Sequence, residues 1–283
     1  MYTTITKFKI PSILEDILKD LQKIGATPIL VGGSVRDYFL NIPIKDYDIE
    51  IFGINSLEII QNCLEKFGSV KLVGKSFGVL TLRVNEYDFD FALPRTETKI
   101  GLSHQDFEVI TNSSLSFKEA AIRRDFTINS IGYDFFKEKF LDPFDGINDL
   151  KTKTIKHIND ATFIEDSLRV YRAIQFASRF DFKIDKNTKK LCKQIVLNDD
   201  LIHLPKERIY EEFKKLFLKS SKPSIGFELL HELGVLKYFQ ELEVLINCVQ
   251  EPTYHPEGDV WIHTMMSLDE MARILKEENM EDE

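Results

Sequence analysis

Three acidic residues occupy alternate positions in one short stretch, KDYDIEIFG, residues 45–53. Asp46, Asp48 and Glu50 would share one face of a strand, because side chains alternate across it. Carboxylates held this close repel each other unless a cation lies between them. Hard divalent ions such as Mg²⁺ take oxygen ligands together with substrate phosphates. The spacing therefore indicates a magnesium site that acts on a nucleotide, with a half-exposed acidic strand as the alternative.

A pair of glycines lies shortly before these acids. Gly32 and Gly33 fall between a predicted strand, Pro28 to Val31, and a predicted helix, Ser34 to Leu40. Backbone N–H groups at such a bend can bind phosphate oxygens, and Arg36 adds positive charge one turn later. The pattern fits neither the P-loop nor the dinucleotide fingerprint. Glycines followed by aligned aspartates predict a triphosphate site of another kind.

A third carboxylate is expected from the alternating segment EYDFDFALPR. Asp88 and Asp90 share one face of this predicted strand, and we favour Asp90. Two-metal transfer of a nucleotidyl group uses one ion to activate the attacking hydroxyl and another to hold the leaving pyrophosphate, with carboxylates spanning both. Asp46, Asp48 and Asp90 are therefore predicted to be catalytic, and Asp46 and Asp48 to bind metal.

The elements that must position these residues follow from hydrophobic periodicity. The first 150 residues mix helix and strand patterns, which predicts an α/β domain with a small mixed sheet. From about Asp160 onward the pattern is helical. The polar segment from Arg95 to Ser116 is predicted to be a long loop. Further predicted elements are helices at Ile13–Ile24 and Ser56–Phe67 and strands at Tyr47–Phe52, Val79–Val84 and Tyr87–Leu93.

The charge is distributed unevenly along the chain, whose net charge is -9. Residues 151–222 hold 17 Lys or Arg against 10 Asp or Glu, whereas residues 241–283 hold 2 against 12. A basic middle indicates a surface that binds a polyanion, although solvated lysines on helices would give the same count. No segment predicts a membrane span or signal peptide, and the 3 cysteines lie far apart. We expect a cytoplasmic protein with reduced, buried thiols.

Four stretches in order resemble the signature motifs of bacterial tRNA nucleotidyltransferases, the CCA-adding enzymes, and of bacterial poly(A) polymerases. They are LVGGSVRDYFLNIPIKDYDIEIFG, RRDFTINSIGYD, LDPFDGINDL and EDSLRVYRAIQFASRF. The resemblance implies an α/β nucleotidyltransferase head of the polymerase-β-like type at 1–150. An all-α neck and body that reads the nucleotide and binds tRNA would follow at 151–240, and an incomplete HD-like helical tail at 241–283.

The resemblance also implies roles for residues in the head. Asp46 and Asp48 would be the metal-binding pair, with two Mg²⁺ ions as cofactor. CTP and ATP would be substrates, and tRNA the partner. The triphosphate and the nucleotide site would be formed by Gly32, Gly33, Arg36, Arg123, Arg124, Asp125 and Asn129.

The segment EDSLRVYR suggests how C and A could be chosen. Asp166, Arg169 and Arg172 recur at intervals of three, which predicts that they project from one face of a helix. Cytosine and adenine each present an exocyclic amine beside a ring acceptor, so a carboxylate and a guanidinium together could read them. Asp166 with Arg169 would then select CTP and ATP, with Arg172 left to the phosphates. The alternative is a helical ion pair at the surface.

The acidic end carries two histidines eight residues apart, near other possible metal ligands. His255 and His263, with Glu257 and Asp259 near them, lie in a stretch similar to the opening of an HD phosphohydrolase domain. That domain needs a His-Asp dipeptide, which this sequence lacks, so we do not expect a working hydrolase. Trp261 is expected to be packed core.

The expected reaction is the magnesium-dependent addition of CCA to the 3' end of tRNA, with release of pyrophosphate. Poly(A) addition and CC-only or A-only addition remain alternatives. We expect the segment from Arg95 to Ser116 to determine which product is made. A phosphatase with Asp46 as nucleophile is disfavoured, because Glu50 stands where such enzymes favour Thr or Val. A non-catalytic RNA-binding protein is the remaining alternative of another class.

Overall fold

The computed structural model describes residues 8–73, 78–99 and 107–278. They form two compact units, and the chain passes from the first to the second between Lys151 and Thr152. Helices of the first unit are α1 Ser12–Lys23, α2 Gly33–Phe39, α3 Leu57–Leu64, α4 Phe117–Ala121 and α5 Gly146–Lys151. Its strands are β1 Thr27–Val31, β2 Asp46–Phe52, β3 Val70–Val73, β4 Val79–Val84, β5 Tyr87–Ala92, β6 Arg95–Lys99, β7 Phe107–Thr111, β8 Gly132–Asp134 and β9 Lys139–Leu141.

Within the described residues, a 7-stranded sheet runs in the order β3-β4-β5-β2-β1-β8-β9. β2 and β5 pair in parallel, and the other neighbouring strands pair antiparallel. The predicted mixed sheet and polymerase-β-like head are confirmed. Local patterning explains β2, since Tyr47, Ile49 and Ile51 are buried while Asp46 and Asp48 on the other face stay exposed.

Helix α1 shows how a helix covers this unit. It buries residues at the i, i+3, i+4, i+7 spacing of an amphipathic helix, which are Leu14, Ile17, Leu18 and Leu21. Burying each such side chain contributes about 1.5 to 3 kcal/mol of hydrophobic free energy. Helix α3 begins where the Ser56 side chain accepts a hydrogen bond from the Ile59 N–H, as an N-cap does.

The prediction that the segment from Arg95 to Ser116 is a long loop is wrong. Strands β6 and β7 pair antiparallel from Arg95↔Thr111 to Lys99↔Phe107, as a separate two-stranded sheet. Residues 100–106 between them lie outside the described residues. Most of this segment is polar, and Phe107 and Val109 give only one step of apolar alternation, which is too short a pattern to predict a strand.

The second unit is helical, as predicted, with a short pair of parallel strands, β10 Thr154–Ile155 and β11 Lys183–Ile184. Its helices are α6 Asp160–Glu165, α7 Arg169–Phe180, α8 Lys186–Leu197, α9 Lys206–Lys219, α10 Ser224–Glu232, α11 Gln240–Glu243 and α12 Val260–Glu277. In the described part of the chain, no helix combines the length and apolar character needed to cross a membrane.

Helix α7 is the centre of the second unit. Its buried residues include Val170, Ala173, Ile174 and Ala177, which again follow helical spacing. Trp261 of α12 is 4% exposed, so the prediction that it is packed core is confirmed. Its indole N–H donates to Glu228 Oε1 of α10 over 2.7 Å, which satisfies the polar atom of this buried ring.

Candidate active site

Three aspartates meet where β2 and β5 run side by side. Asp48 is the register partner of Asp90, and Asp46 is the partner of Asp88. Partners on adjacent strands point to the same face of a sheet, so Asp48 and Asp90 are neighbours. Thr81 on β4 donates a 2.6 Å hydrogen bond to Asp90 Oδ1, which fixes that carboxylate.

The electrostatics of Asp48 reflect this crowding. One side of Asp48 faces solvent, but the protein around it withholds water from the rest of the carboxylate. This desolvation raises the pKa of Asp48, the Arg124 charge opposes the rise, and the Asp90 and Asp46 charges add to it. Clustered carboxylate oxygens are the donor set that a hard divalent cation takes. Asp46, Asp48 and Asp90 could therefore hold such an ion.

The glycine bend lies directly against Asp48. Gly32 has φ 71° and ψ -134°, a backbone conformation that side-chain-bearing residues avoid. A Cβ added there would lie 2.9 Å from Asp48 Oδ2 and 3.4 Å from Arg124 Nη1. Glycine is therefore required both for the turn and for the close approach of the backbone to these two charged groups.

Arg36 is buried under this bend and connects it to the RRDFTIN segment. Its Nη1 donates to Asn129 Oδ1 over 2.8 Å, and its Nη2 lies 2.7 Å from Asp37 Oδ1. Asn129 Nδ2 in turn donates to Asp125 Oδ1 over 2.9 Å. The predicted nucleotide-site residues Arg36, Asp125 and Asn129 thus form one hydrogen-bonded network.

The LDPFDGINDL segment supports the turn that carries Asn129. Thr127 of this 3-10 turn donates to Asp149 Oδ2 over 2.7 Å. Asp142 accepts hydrogen bonds from the Gly146 and Ile147 N–H groups, which begins helix α5. This motif therefore stabilises the turn that holds Asn129 in the site.

Glu50 differs from the two aspartates that share its face. It is 1% exposed, Arg123 Nη2 donates to its Oε1 over 2.9 Å, and Arg124 Nη2 lies 3.6 Å from its Oε2. The sequence placed Glu50 on the acidic face but did not reveal this pairing. The available signal was an acid in the apolar half of a strand, which needs a charged partner elsewhere.

The prediction that Asp166, Arg169 and Arg172 project from one face of a helix is wrong for Asp166. Asp166 lies in the break between α6 and α7, where its Oδ1 accepts from the Leu168 N–H over 3.2 Å. A short acidic side chain that competes for backbone N–H groups ends a helix, which spacing alone does not show. Arg169 begins α7, and its Nη1 donates to the Thr162 carbonyl over 2.8 Å.

Helix α9 supplies partners that sequence reasoning missed. Arg208 Nη2 lies 3.5 Å from Asp166 Oδ2, and Arg172 Nη1 lies 3.6 Å from Glu212 Oε1. Arg208 and Glu212 are one helical turn apart, so one face of α9 contacts both Asp166 and Arg172. Only the fold brings these segments together.

A second group of possible metal ligands lies at the start of α12. Glu257 Oε1 is 3.2 Å from His255 Nδ1 and 2.6 Å from His263 Nδ1. A backbone hydrogen bond and the bond to His263 lower the pKa of Glu257 to about 2. The ligand atoms of the three residues lie within 4.8 Å of one another, so they could bind one ion.

Comparison with known families matches both units. Residues 29–156 match the family described as poly A polymerase head domain, and residues 181–245 match the one described as probable RNA and SrmB-binding site of polymerase A. The multifunctional CCA protein of Mannheimia succiniciproducens is 38% identical over 250 residues, which cover 87% of this chain and 57% of that protein. The Acinetobacter baumannii protein of the same name is 36% identical over 248 residues, covering 86% and 58%. The chain therefore spans less than three fifths of these relatives.

Solved structures agree. A CCA-adding enzyme without ligand superposes with a TM-score of 0.69 at 30% identity, over 81% of this chain and 54% of the other. A CCA-adding enzyme in complex with ATP gives 0.67 at 27% identity, over 87% and 56%. Nucleotidyltransferases with a polymerase-β-like head generally use divalent metals, which agrees with the carboxylate cluster. Sequence motifs, head fold and relatives together show that the chain belongs to the family of tRNA nucleotidyltransferases and bacterial poly(A) polymerases.

Proposed function

We propose that this chain is the catalytic and nucleotide-reading part of an enzyme that adds CCA to the 3' end of tRNA. It would transfer CMP and AMP from CTP and ATP and release pyrophosphate. The observation that carries the proposal is the grouping of Asp46, Asp48 and Asp90 beside the Gly32 bend. Supporting it are relatives named multifunctional CCA protein and solved CCA-adding enzymes in complex with CTP and with ATP.

In the head, Asp46 and Asp48 would hold two Mg²⁺ ions, with Asp90 as the third carboxylate. Bound magnesium supplies charge neutralisation for the triphosphate and lowers the pKa of the attacking hydroxyl. The backbone N–H groups at the Gly32 bend, with Gly33 next to it in the chain, would bind phosphate oxygens. Arg124 contributes positive charge at the bend. Transfer would proceed by in-line attack on the α-phosphate without a covalent enzyme intermediate.

Nucleotide choice would belong to the second unit. The Asp166 carboxylate would accept a hydrogen bond from the exocyclic amine of cytosine or adenine, and Arg169 would donate to the ring. Uracil and guanine present donors and acceptors in the reverse order, so they would leave both side chains unsatisfied. Arg172 would remain for the phosphates.

The basic segment 151–222 would bind tRNA phosphates. The match of residues 181–245 to a probable RNA-binding family supports this assignment. Lys186, Lys190 and Lys193 are exposed on helix α8 and line one surface depression together with Lys189. We propose that these lysines bind phosphate groups of the RNA.

The test uses purified protein with Mg²⁺ and tRNA transcripts that end at the discriminator base, at C, or at CC. CTP and ATP are supplied singly and together, and products are resolved by length. Addition of two C residues and then one A is expected. Asp48→Ala should abolish addition, whereas Asp16→Asn, at an exposed position of α1, should not change it. Failure of every transcript to grow, or full activity in Asp48→Ala, would refute the proposal.

A bacterial poly(A) polymerase is the second candidate, because the matched head family carries that name. CC-only or A-only addition would use the same residues. A long tail of A on any RNA end would favour the polymerase. Arrest after CC, or growth only of transcripts ending in CC, would favour the partial enzymes.

A further inference from the structure

Glu50 occupies a position that the stability of the sheet does not require to be charged. It lies in the middle of β2, between Ile29 of β1 and Ala92 of β5, and is 1% exposed. A carboxylate there loses its hydration, and an apolar residue would suit the strand better unless the charge has another use. In the described residues its Oε2 accepts no hydrogen bond, and Arg124 Nη2 lies 3.6 Å from it.

The partners of Glu50 are the two arginines of the RRDFTIN segment. Arg123 and Arg124 come shortly after helix α4 in the sequence and pair with Glu50 of strand β2. Their side chains are 19% and 15% exposed. Long cationic side chains of this kind are flexible unless ion pairs restrain them. A single buried carboxylate therefore restrains both guanidinium groups from one side.

Arg124 also lies beside a competing carboxylate. A Cβ placed on Gly32 would lie 3.4 Å from Arg124 Nη1 and 2.9 Å from Asp48 Oδ2, so both groups border the same small space. If Glu50 were neutral, Asp48 would be the carboxylate left beside Arg124 at the Gly32 bend. An Arg124–Asp48 ion pair would occupy a proposed metal ligand and remove the cation from the phosphate site.

We infer that Glu50 is a positioning residue that holds Arg124 away from Asp48 and directed at the phosphates of the incoming nucleotide. The inference rests on the proposed nucleotidyl transfer. Glu50 itself touches neither nucleotide nor metal. It acts by keeping the cation and the metal-binding carboxylate apart, so both remain available when substrate arrives.

Glu50→Gln is the direct test, because it keeps the shape of the side chain and removes its charge. We expect the KM for ATP on a tRNA ending in CC to rise about tenfold, as when one charge-assisted hydrogen bond to the substrate is removed. The Mg²⁺ concentration at half-maximal activity should rise as well. Glu58→Gln, exposed on α3, is the matched control and should leave both values unchanged. Circular dichroism and melting temperature report whether each variant is folded.

A double-mutant cycle separates positioning from a general structural role. If Glu50 acts through Arg124, then Glu50→Gln combined with Arg124→Gln should raise the KM no more than either change alone. Additive effects, or a Glu50→Gln enzyme with unchanged KM and Mg²⁺ dependence, would overturn the inference. If Glu50→Gln does not fold, Arg124→Gln leaves Arg123 to pair with Glu50, and an unchanged KM in that variant would overturn it.

A binding measurement keeps this inference distinct from the proposed function. Thermal shift with ATP and Mg²⁺ requires no turnover, so it can be read even if no transcript is extended. A smaller ATP-dependent shift in Glu50→Gln than in Glu58→Gln supports the positioning role. Equal shifts in both variants contradict it, whatever the enzyme adds.

Discussion

Asp48 and Asp90 face each other across two parallel strands, in direct register. The charges of Asp90 and Asp46 add to the desolvation that raises the pKa of Asp48. At the proposed metal site, we therefore expect this closeness to destabilise the fold when no cation is bound. This relationship leads to a prediction about stability.

Asp48→Asn should raise the melting temperature at pH 7 in metal-free buffer. Because the folded-state pKa of Asp48 lies above its ordinary value of 3.8, ionisation disfavours the folded state. Protonated Asp48 favours the folded state, so its contribution to stability is complete below the ordinary pKa. That contribution is lost as the pH rises through the folded-state pKa. The difference in melting temperature between variant and parent should therefore shrink as pH falls towards 3.8. Melting followed by circular dichroism across this range checks it.

Divalent cations give the matching control. Mg²⁺ should raise the melting temperature of the parent protein, because binding to the folded state alone is stabilising. It should not do so in Asp48→Asn, whereas Asp16→Asn should respond like the parent. A variant less stable than the parent at pH 7 would contradict the proposed repulsion.

Gly32→Ala should reduce nucleotide addition by at least tenfold. The positive φ costs any side-chain-bearing residue about 1 to 3 kcal/mol, and here the new methyl group would also displace Asp48 or Arg124. Steady-state kinetics with ATP and a tRNA ending in CC measure the effect.

Gly25→Ala is the matched control for Gly32→Ala. Gly25 also has a positive φ, 89°, but a Cβ there would meet no atom within 4 Å. Both variants should lose similar backbone stability, and only Gly32→Ala should lose activity beyond what its folded fraction explains. Equal activities per folded molecule would show that the close approach at Gly32 is not needed.

Asp166→Asn should relax the choice of nucleotide. Replacing the carboxylate with an amide adds a donor, so discrimination between CTP and UTP should fall by about tenfold or more, as when one hydrogen bond to a base is removed. The ratio of kcat/KM for the two nucleotides measures this. Asp181→Asn, at the left-handed end of α7 where Asn is equally suited, should keep the parent ratio. An unchanged ratio in Asp166→Asn would exclude a reading role.

Replacing Lys186, Lys190 and Lys193 with Gln should weaken tRNA binding and flatten its salt dependence. Each phosphate that a lysine no longer neutralises should reduce the slope of log K against log salt by about 0.7 to 0.9. Filter binding between low and moderate salt measures the slope. The double change Lys19→Gln and Lys23→Gln, at exposed positions of α1 in the other unit, should leave the slope unchanged. A steep slope that survives the triple change would place the RNA-binding surface elsewhere.

Local patterning predicted the parts of the head that depend on local sequence. Alternation of acid and apolar residues located β2 and β5 to within one residue, and alternation also placed Asp90 on a face that could meet Asp48. The glycine bend followed from its position between a strand and a helix. These features were predictable because their causes act over a few residues.

Other features depend on interactions between distant segments. The pairing of Glu50 with Arg123, and that of Arg208 with Asp166, joins residues that no local period relates. The β6–β7 pair was missed because its two segments show too little apolar alternation to indicate strands, and the backbone pairing joins positions up to 16 residues apart. Asp166 left the helix because its side chain hydrogen-bonds the backbone.

The parallel pairing of β2 with β5 has a consequence for biosynthesis. Between these strands the chain must first complete α3, β3 and β4, so Asp90 leaves the ribosome well after Asp48. A nascent chain that ends before β5 carries the glycine bend and two of the carboxylates but cannot assemble the third. Under the proposed mechanism, such an unfinished chain lacks one of the three carboxylates that nucleotidyl transfer requires.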